Sequence, residues 1–95
     1  MKKAYLLGSL TVKNRAFTTD YAVKVDATLP PFEGKFCVRG GTIHYEEGRQ
    51  SNVNMVLEFP SIEQMNNWFN SEAYQKIVPE RRSTSEGEFI MIEGL

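Results

Sequence analysis

Ninety-five residues make one domain, and a chain this short buries a limited share of its surface, so its core is marginal and association is a natural remedy. Eleven Lys and Arg stand against twelve Asp and Glu, and the like-charged neighbours Lys2-Lys3 and Arg81-Arg82 are pairs rather than patches. This balance argues against nucleic acid or an anionic membrane as the main partner, because both demand clustered positive charge.

Residues 4 to 12, Ala-Tyr-Leu-Leu-Gly-Ser-Leu-Thr-Val, suit a first strand that is apolar on much of both faces. Gly8, Ser9 and Thr11 interrupt the stretch and no cleavage site follows, so it does not read as a signal peptide. No segment is long and apolar enough to cross a bilayer, and a cytoplasmic location is the expectation. Asn14 is placed to cap a helix in which Phe17, Tyr21, Val25 and Leu29 recur every four residues as one apolar stripe. Pro30-Pro31 ends it, since proline lacks the backbone donor and disfavours helix at the preceding residue.

Gly34 opens a second strand, with Phe36 and Val38 on one side and Lys35, Cys37 and Arg39 on the other. Gly40-Gly41 marks an expected bulge, after which Thr42-Ile43-His44-Tyr45 can resume the strand. Cys37, the single cysteine, excludes an intrachain disulfide, and its apolar setting reads as a small buried hydrophobe rather than a reactive thiol. A reducing compartment is consistent with it. Residues 46 to 52 form a polar connection. The third strand, Val53 to Phe59, alternates, with Val53, Met55, Leu57 and Phe59 sharing one face.

Pro60-Ser61 starts the next helix: Ser61 and Gln64 have capping-box spacing, and Ile62, Met65, Trp68 and Phe69 form its apolar stripe. Ser71 can cap a further helix with Glu72 at its positive end. Ala73, Tyr74, Ile77 and Val78 are its expected buried side, and Pro79 its expected end. Residues 80 to 87 read as a loop and Phe89-Ile90-Met91-Ile92 as the last strand. The order βαββαβ predicts an α+β, ferredoxin-like fold, with a four-stranded antiparallel sheet and both helices on one face. The last strand is apolar on both sides. An uncovered face of that kind predicts a homodimer packed through its sheet faces.

Four stretches carry a family resemblance: Gly34-Lys35-Phe36-Cys37-Val38-Arg39-Gly40-Gly41, Val56-Leu57-Glu58-Phe59-Pro60-Ser61, Trp68-Phe69-Asn70-Ser71-Glu72-Ala73-Tyr74-Gln75, and Arg81 with Phe89-Ile90-Met91-Ile92-Glu93-Gly94. Over about its last two-thirds the chain resembles the domain of unknown function 1330 family, within the dimeric α/β-barrel superfamily, where local and global signals agree. The resemblance implies a dimeric α/β barrel. Relatives at superfamily level include cofactor-independent monooxygenases, lactone isomerases and haem-dependent enzymes, and fold alone does not choose among these.

Arg39 and Glu58 are expected on paired strands and on one side, either as a cross-strand ion pair or as polar groups lining a pocket. Trp68 and Tyr74, apolar bodies with polar tips, suit either the core or the wall of a cleft between helices and sheet. Arg81 is placed at the mouth of that cleft or in solvent. The ligand-binding candidates are therefore Arg39, Glu58, Trp68, Tyr74 and Arg81, with Arg39, Glu58 and Tyr74 the candidates for chemistry. His44, the single histidine, lacks companions at metal-ligand spacing, so no metal and no cofactor is expected. Glu46-Glu47 form no dyad, the serines lack a nucleophile-elbow context, and no phosphate-cradling glycine loop occurs. Three readings remain: a small polar or anionic organic molecule bound in the cleft, with or without cofactor-independent catalysis; a structural or regulatory dimer without chemistry; and haem binding through His44.

Overall fold

The computed structural model describes residues 2–48 and 52–95, apart from the side chains of residues 18 and 19. Strand β1 (Ala4–Val12) is followed by a wide π turn (Phe17–Tyr21) that runs directly into α1 (Ala22–Thr28). Strand β2 (Lys35–Arg39) and β3 (Val53–Phe59) come next, then α2 (Ile62–Phe69), α3 (Glu72–Gln75), α4 (Val78–Thr84) and β4 (Ser85–Glu93). The strands form one antiparallel sheet in the order β2-β3-β1-β4. This is the ferredoxin-like arrangement expected from the element order. The molecule is only 17 Å thick along its shortest axis, room for one sheet and one helical layer, so the second sheet face is open.

The core lies between sheet and helices. Ala4, Leu6 and Leu10 of β1 and Met55, Leu57 and Phe59 of β3 face it, as their alternation predicts. From the helical layer come Phe17, Tyr21, Val25 and Leu29, all four members of the expected stripe, with Met65, Trp68, Tyr74, Ile77 and Val78. Fully burying a large side chain contributes about 1.5–3 kcal/mol, so this layer dominates stability. Trp68 is central to it. Its ring lies 4.0 Å from that of Tyr74 and 5.3 Å from that of Phe59, and its indole N–H donates to Thr28 Oγ1 at 2.9 Å. Thr28 in turn donates to the Val25 carbonyl at 2.7 Å.

Local chemistry accounts for the helix starts. Ser61 sits in extended backbone and its hydroxyl accepts from the Gln64 N–H at 3.2 Å, capping α2. Ser71 caps α3 in the same way through the Tyr74 N–H at 3.2 Å. Pro79 does not end the helical region. It occupies the first turn of α4, where its missing donor has no partner to lose, and of the loop expected at 80 to 87, residues 80 to 84 are helix and 85 to 87 begin β4. Ala73 faces solvent; Tyr74, Ile77 and Val78 carry the contact.

The largest departure lies in β2. The register steps from Phe36 opposite Leu57 to Val38 opposite Val56, leaving Cys37 as the extra residue of a bulge. The expected bulge at Gly40-Gly41 is thus three residues early, although Gly40 does adopt a left-handed φ of 61° just beyond the strand. Cys37 is exposed rather than buried. Partial desolvation and the Glu58 carboxylate beside it push its thiol up, which disfavours the reactive thiolate. Residues 42 to 45 do not resume the strand, and the connection expected at 46 to 52 lies partly outside the described residues.

Ser61→Ala removes the α2 cap without enlarging any side chain. The expected loss is about 1 kcal/mol of unfolding free energy, read from urea denaturation followed by circular dichroism.

Candidate functional site

Between sheet and helices lies a cavity of about 210 Å³. Its floor is the helix-facing side of the sheet: Leu6, Met55, Leu57 and Phe89. Its roof is Phe17, Tyr21 and Val25 of the first helical segment with Trp68 and Tyr74 of α2 and α3. In the π turn, residues four apart stand nearly above one another, and the Phe17 and Tyr21 rings lie 5.3 Å apart on this wall. The lining is overwhelmingly apolar, so the few polar groups define what the cavity can recognise.

One polar group is a buried chain of three. The Tyr21 and Tyr74 hydroxyls lie 2.7 Å apart, and Arg81 Nη1 donates to the Tyr74 oxygen at 3.4 Å. The Tyr21–Tyr74 bond uses one of the two hydroxyl protons, and Arg81 brings only donors. Among the described residues one tyrosine O–H therefore has no acceptor, and both tyrosines line the cavity. Burial pushes the Tyr21 hydroxyl far above the usual tyrosine range; Tyr74 adds to the rise and Arg81 partly offsets it. Tyr21 is thus held as a neutral hydroxyl, not as a base, near neutral pH.

The second polar group stands at the mouth. The bulge at Cys37 reverses the alternation, so Arg39 falls opposite Met55 on the helix-facing side, with its guanidinium 3.7 Å from the centre of the Phe36 ring. Both arms of its fork engage Asp26 of α1, Nη1 donating to Oδ2 at 3.2 Å and Nη2 to Oδ1. Arg39 and Asp26 are each about half exposed, and ion pairs in such settings contribute little.

The expected partnership of Arg39 with Glu58 does not form. Glu58 keeps the alternation of β3 and points to the open face, opposite Lys35. It accepts from Lys3 and Lys35, each at 3.4 Å. Partial desolvation acts to raise the Glu58 carboxyl, but the two ammonium groups outweigh it and hold it below the usual carboxylate range. Of the other candidates, Trp68 and Tyr74 line the cavity and Arg81 reaches it through the Tyr74 hydroxyl. His44 is exposed and does not line it. Sequence reasoning missed Tyr21 as a site residue, although its place in the stripe with Phe17 and Val25 was the available signal. Asp26 was missed because nothing local announces a partner 13 residues away. Among the described residues no group of three His, Cys, Asp or Glu is placed to hold a metal ion, and no helix is long and apolar enough to cross a membrane.

A ferredoxin-like domain with an apolar, tyrosine-tipped cavity under its helices is the class that these features define. Residues 3–95 match the family described as "Domain of unknown function (DUF1330)", and the chain belongs to it. No functionally curated protein matches the chain. Among solved structures, it is similar to a protein of unknown function from Rhodopseudomonas palustris, at 13% identity over 99% of this chain and 83% of that one, with a TM-score of 0.79. It is also similar to SnoaB, a cofactor-independent oxygenase from Streptomyces nogalater, at 11% identity over 100% and 95% of the two chains and a TM-score of 0.71. A putative antibiotic biosynthesis monooxygenase from Chloroflexus aurantiacus matches at 7% identity over 98% and 93%, with a TM-score of 0.56. At these identities the likeness is one of fold.

Tyr21 carries a pH prediction. A group whose folded pKa is raised stabilises the fold below its unfolded value, here the ordinary 10.0, and that contribution is lost as pH rises from there toward the folded value. Wild-type stability should therefore fall steeply above pH 10, and Tyr21→Phe should flatten that fall while costing about 1 kcal/mol at neutral pH. Urea titrations at pH 7 and across the alkaline range read both effects; an unchanged alkaline slope in the variant would count against the assignment.

Proposed function

We propose that the chain binds a small organic molecule in the cavity between helices and sheet. Its apolar body would lie among Phe17, Trp68 and Phe89, and its acceptor or anionic oxygen would meet the polar groups. The observation that carries this reading is the spare tyrosine O–H: a buried donor without an acceptor is costly, and a ligand oxygen would satisfy it. Size narrows the class. An apolar cavity of about 150 Å³ accommodates benzene, so one of about 210 Å³ suits a single substituted ring or a short branched chain. At the mouth, a carboxylate on such a molecule can take the Arg39 fork from Asp26, since the pair it replaces is half exposed.

The fold shared with SnoaB supports extending this reading to chemistry without a cofactor. The spare hydroxyl of the Tyr21–Tyr74 pair would then donate to a substrate oxygen that gains negative charge during reaction, the oxyanion-stabilising role of a preorganised donor. Among the described residues no histidine or carboxylate lines the cavity itself, so a proton would have to leave through Asp26 at the mouth or through solvent.

Assembly belongs to the same reading. Leu7 of β1, Val38 of β2 and Ile90 and Ile92 of β4 are exposed on the open sheet face. Isolated exposed aliphatics are ordinary, but four on one face of one sheet form a patch that pairing of two sheets would cover.

Trp68, the single tryptophan, reports on the cavity directly. Benzoate and related aromatic carboxylates should quench its fluorescence saturably; Arg39→Ala should weaken binding about tenfold with little change in melting temperature, and Glu58→Gln should leave it unchanged. Equal affinity in wild type and the Arg39 variant would remove Arg39 from the site. Light scattering at micromolar concentration should give a dimer mass, and Ile90→Asp a monomer; a monomeric wild type would sink the assembly proposal.

A further inference from the structure

A second cleft, also of about 210 Å³, lies between α4 and the start of β4, lined by Leu10, Arg81, Arg82, Ser85, Gly87 and Phe89. We propose that it is an oxyanion site, taking the carboxylate or phosphate group of a small molecule on the fork of Arg81, with Arg82 at its rim. The proposal is independent of the ligand assigned to the central cavity, although Phe89 is a wall of both.

Arg81 is the reason. Its side chain is more than nine-tenths buried, yet the ion pairs among the described residues engage Lys3, Lys13, Lys24, Lys35 and Arg39, and not Arg81. Its guanidinium lies 4.2 Å from the centre of the Phe89 ring, and one nitrogen reaches the Tyr74 hydroxyl at a long 3.4 Å. A guanidinium offers five N–H donors and is always charged; the Tyr74 and Tyr21 hydroxyls engage part of it, and since no Arg81 nitrogen is both buried and unpartnered, its remaining donors open on the cleft. A largely buried guanidinium with free donors facing a cleft favours an anion in that cleft.

The usual alternative for a basic residue in the last turn of a helix is attraction to the free carbonyls there. In α4 three of the carbonyls near that end already accept from other groups. The Glu80 carbonyl accepts from the Ser83 and Thr84 hydroxyls, at 3.1 and 2.7 Å. The Arg81 carbonyl accepts from the Ser85 hydroxyl at 2.8 Å and from its backbone N–H. The Thr84 carbonyl accepts from the N–H groups of Lys13 and Asn14.

The cleft is also shaped by its backbone. Ser85, Gly87 and Phe89 share the helix-facing side of β4, opposite Val12, Leu10 and Gly8. At residue 87 the φ of 155° and a Cβ that would stand 2.1 Å from the Ser9 carbonyl oxygen admit only glycine, so no side chain fills the space between Ser85 and Phe89. Two arginines therefore face a gap to which no carboxylate contributes.

The test is a titration of the full chain with inorganic phosphate, and separately with acetate, at constant ionic strength held with chloride. Amide resonances are followed by two-dimensional nitrogen–proton NMR. Saturable shifts centred on Arg82, Ser85 and Gly87 are expected, with a Kd of about 10 mM or tighter for at least one of the two anions. Saturation by phosphate alone identifies a phosphate-type ligand, and by acetate alone a carboxylate; either supports the site. Arg82→Gln, at an exposed position, should keep the fold and weaken binding about threefold or more, and Arg81→Lys, which keeps the charge but loses the fork, should weaken it about tenfold or more. If Arg81→Lys does not fold, the Arg82 variant decides. No saturable shift with either anion up to about 50 mM, or unaltered affinity in Arg82→Gln, would overturn the proposal. Quenching of Trp68 by aromatic carboxylates in the central cavity is read separately, so failure of one site does not masquerade as failure of the other.

Discussion

Trp68 joins four elements at one point. Its indole N–H is held by Thr28 at the end of α1, and its ring packs on Phe59 of β3, on Phe69 of its own helix and on Tyr74 of α3. A tryptophan that is both buried and hydrogen-bonded satisfies its polar handle while contributing its full apolar area, so its orientation is set as well as its depth. Tyr74 inherits that orientation, and Tyr74 is what aligns the hydroxyl of Tyr21 and receives Arg81. The polar end of the central cavity thus hangs, through one aromatic stack, on the packing of α2.

A second constraint acts from the sheet. One extra residue at Cys37 inverts the side-chain alternation of β2, and this single step separates two positively charged systems that would otherwise share a face. Arg39 is delivered to the mouth of the cavity beside Asp26, while Lys35 stays with Lys3 and Glu58 on the open face. The two faces therefore have different characters. The helix-facing side is aromatic, with Arg39 at the cavity mouth and Arg81 buried against Phe89; the open side mixes aliphatic residues of β1, β2 and β4 with charged ones, among them Glu58 held between two lysines.

Shared architecture carries the comparisons this far and no further. Identities of 7 to 13% over nearly the whole chain make the likeness one of fold. Functional meaning must then come from this chain's own residues: a spare hydroxyl donor inside an apolar space, a loosely held arginine at its mouth, and a buried arginine without a counter-ion next to a glycine-floored gap.

Much of the fold was legible in the residues. Val53 to Phe59 alternates because one face of β3 is buried, the Phe17-Tyr21-Val25-Leu29 stripe turns wholly inward, and Ser61 and Ser71 cap as their side-chain chemistry requires. These are local or periodic signals, and each is complete within a few residues. The rest depended on contacts between distant segments. Pro79 is compatible with either end of a helix, and only the packing of Val78 and Arg81 makes it the first turn of α4. The place of the bulge is decided by how β2 must sit on β3, so the sequence left Arg39 and Glu58 on one side where the sheet puts them on two. Of the site, Trp68, Tyr74, Arg81 and Arg39 could be named from residue type and Tyr21 only as a member of the apolar stripe, whereas Asp26 and the gap at Gly87 could not be named. A hydrogen bond spanning 53 residues, from Tyr21 to Tyr74, leaves no mark on either local stretch. Periodicity determined which faces are buried; only the tertiary structure decided which polar groups meet there, because those meetings are set by strand register and helix docking rather than by neighbours in the chain.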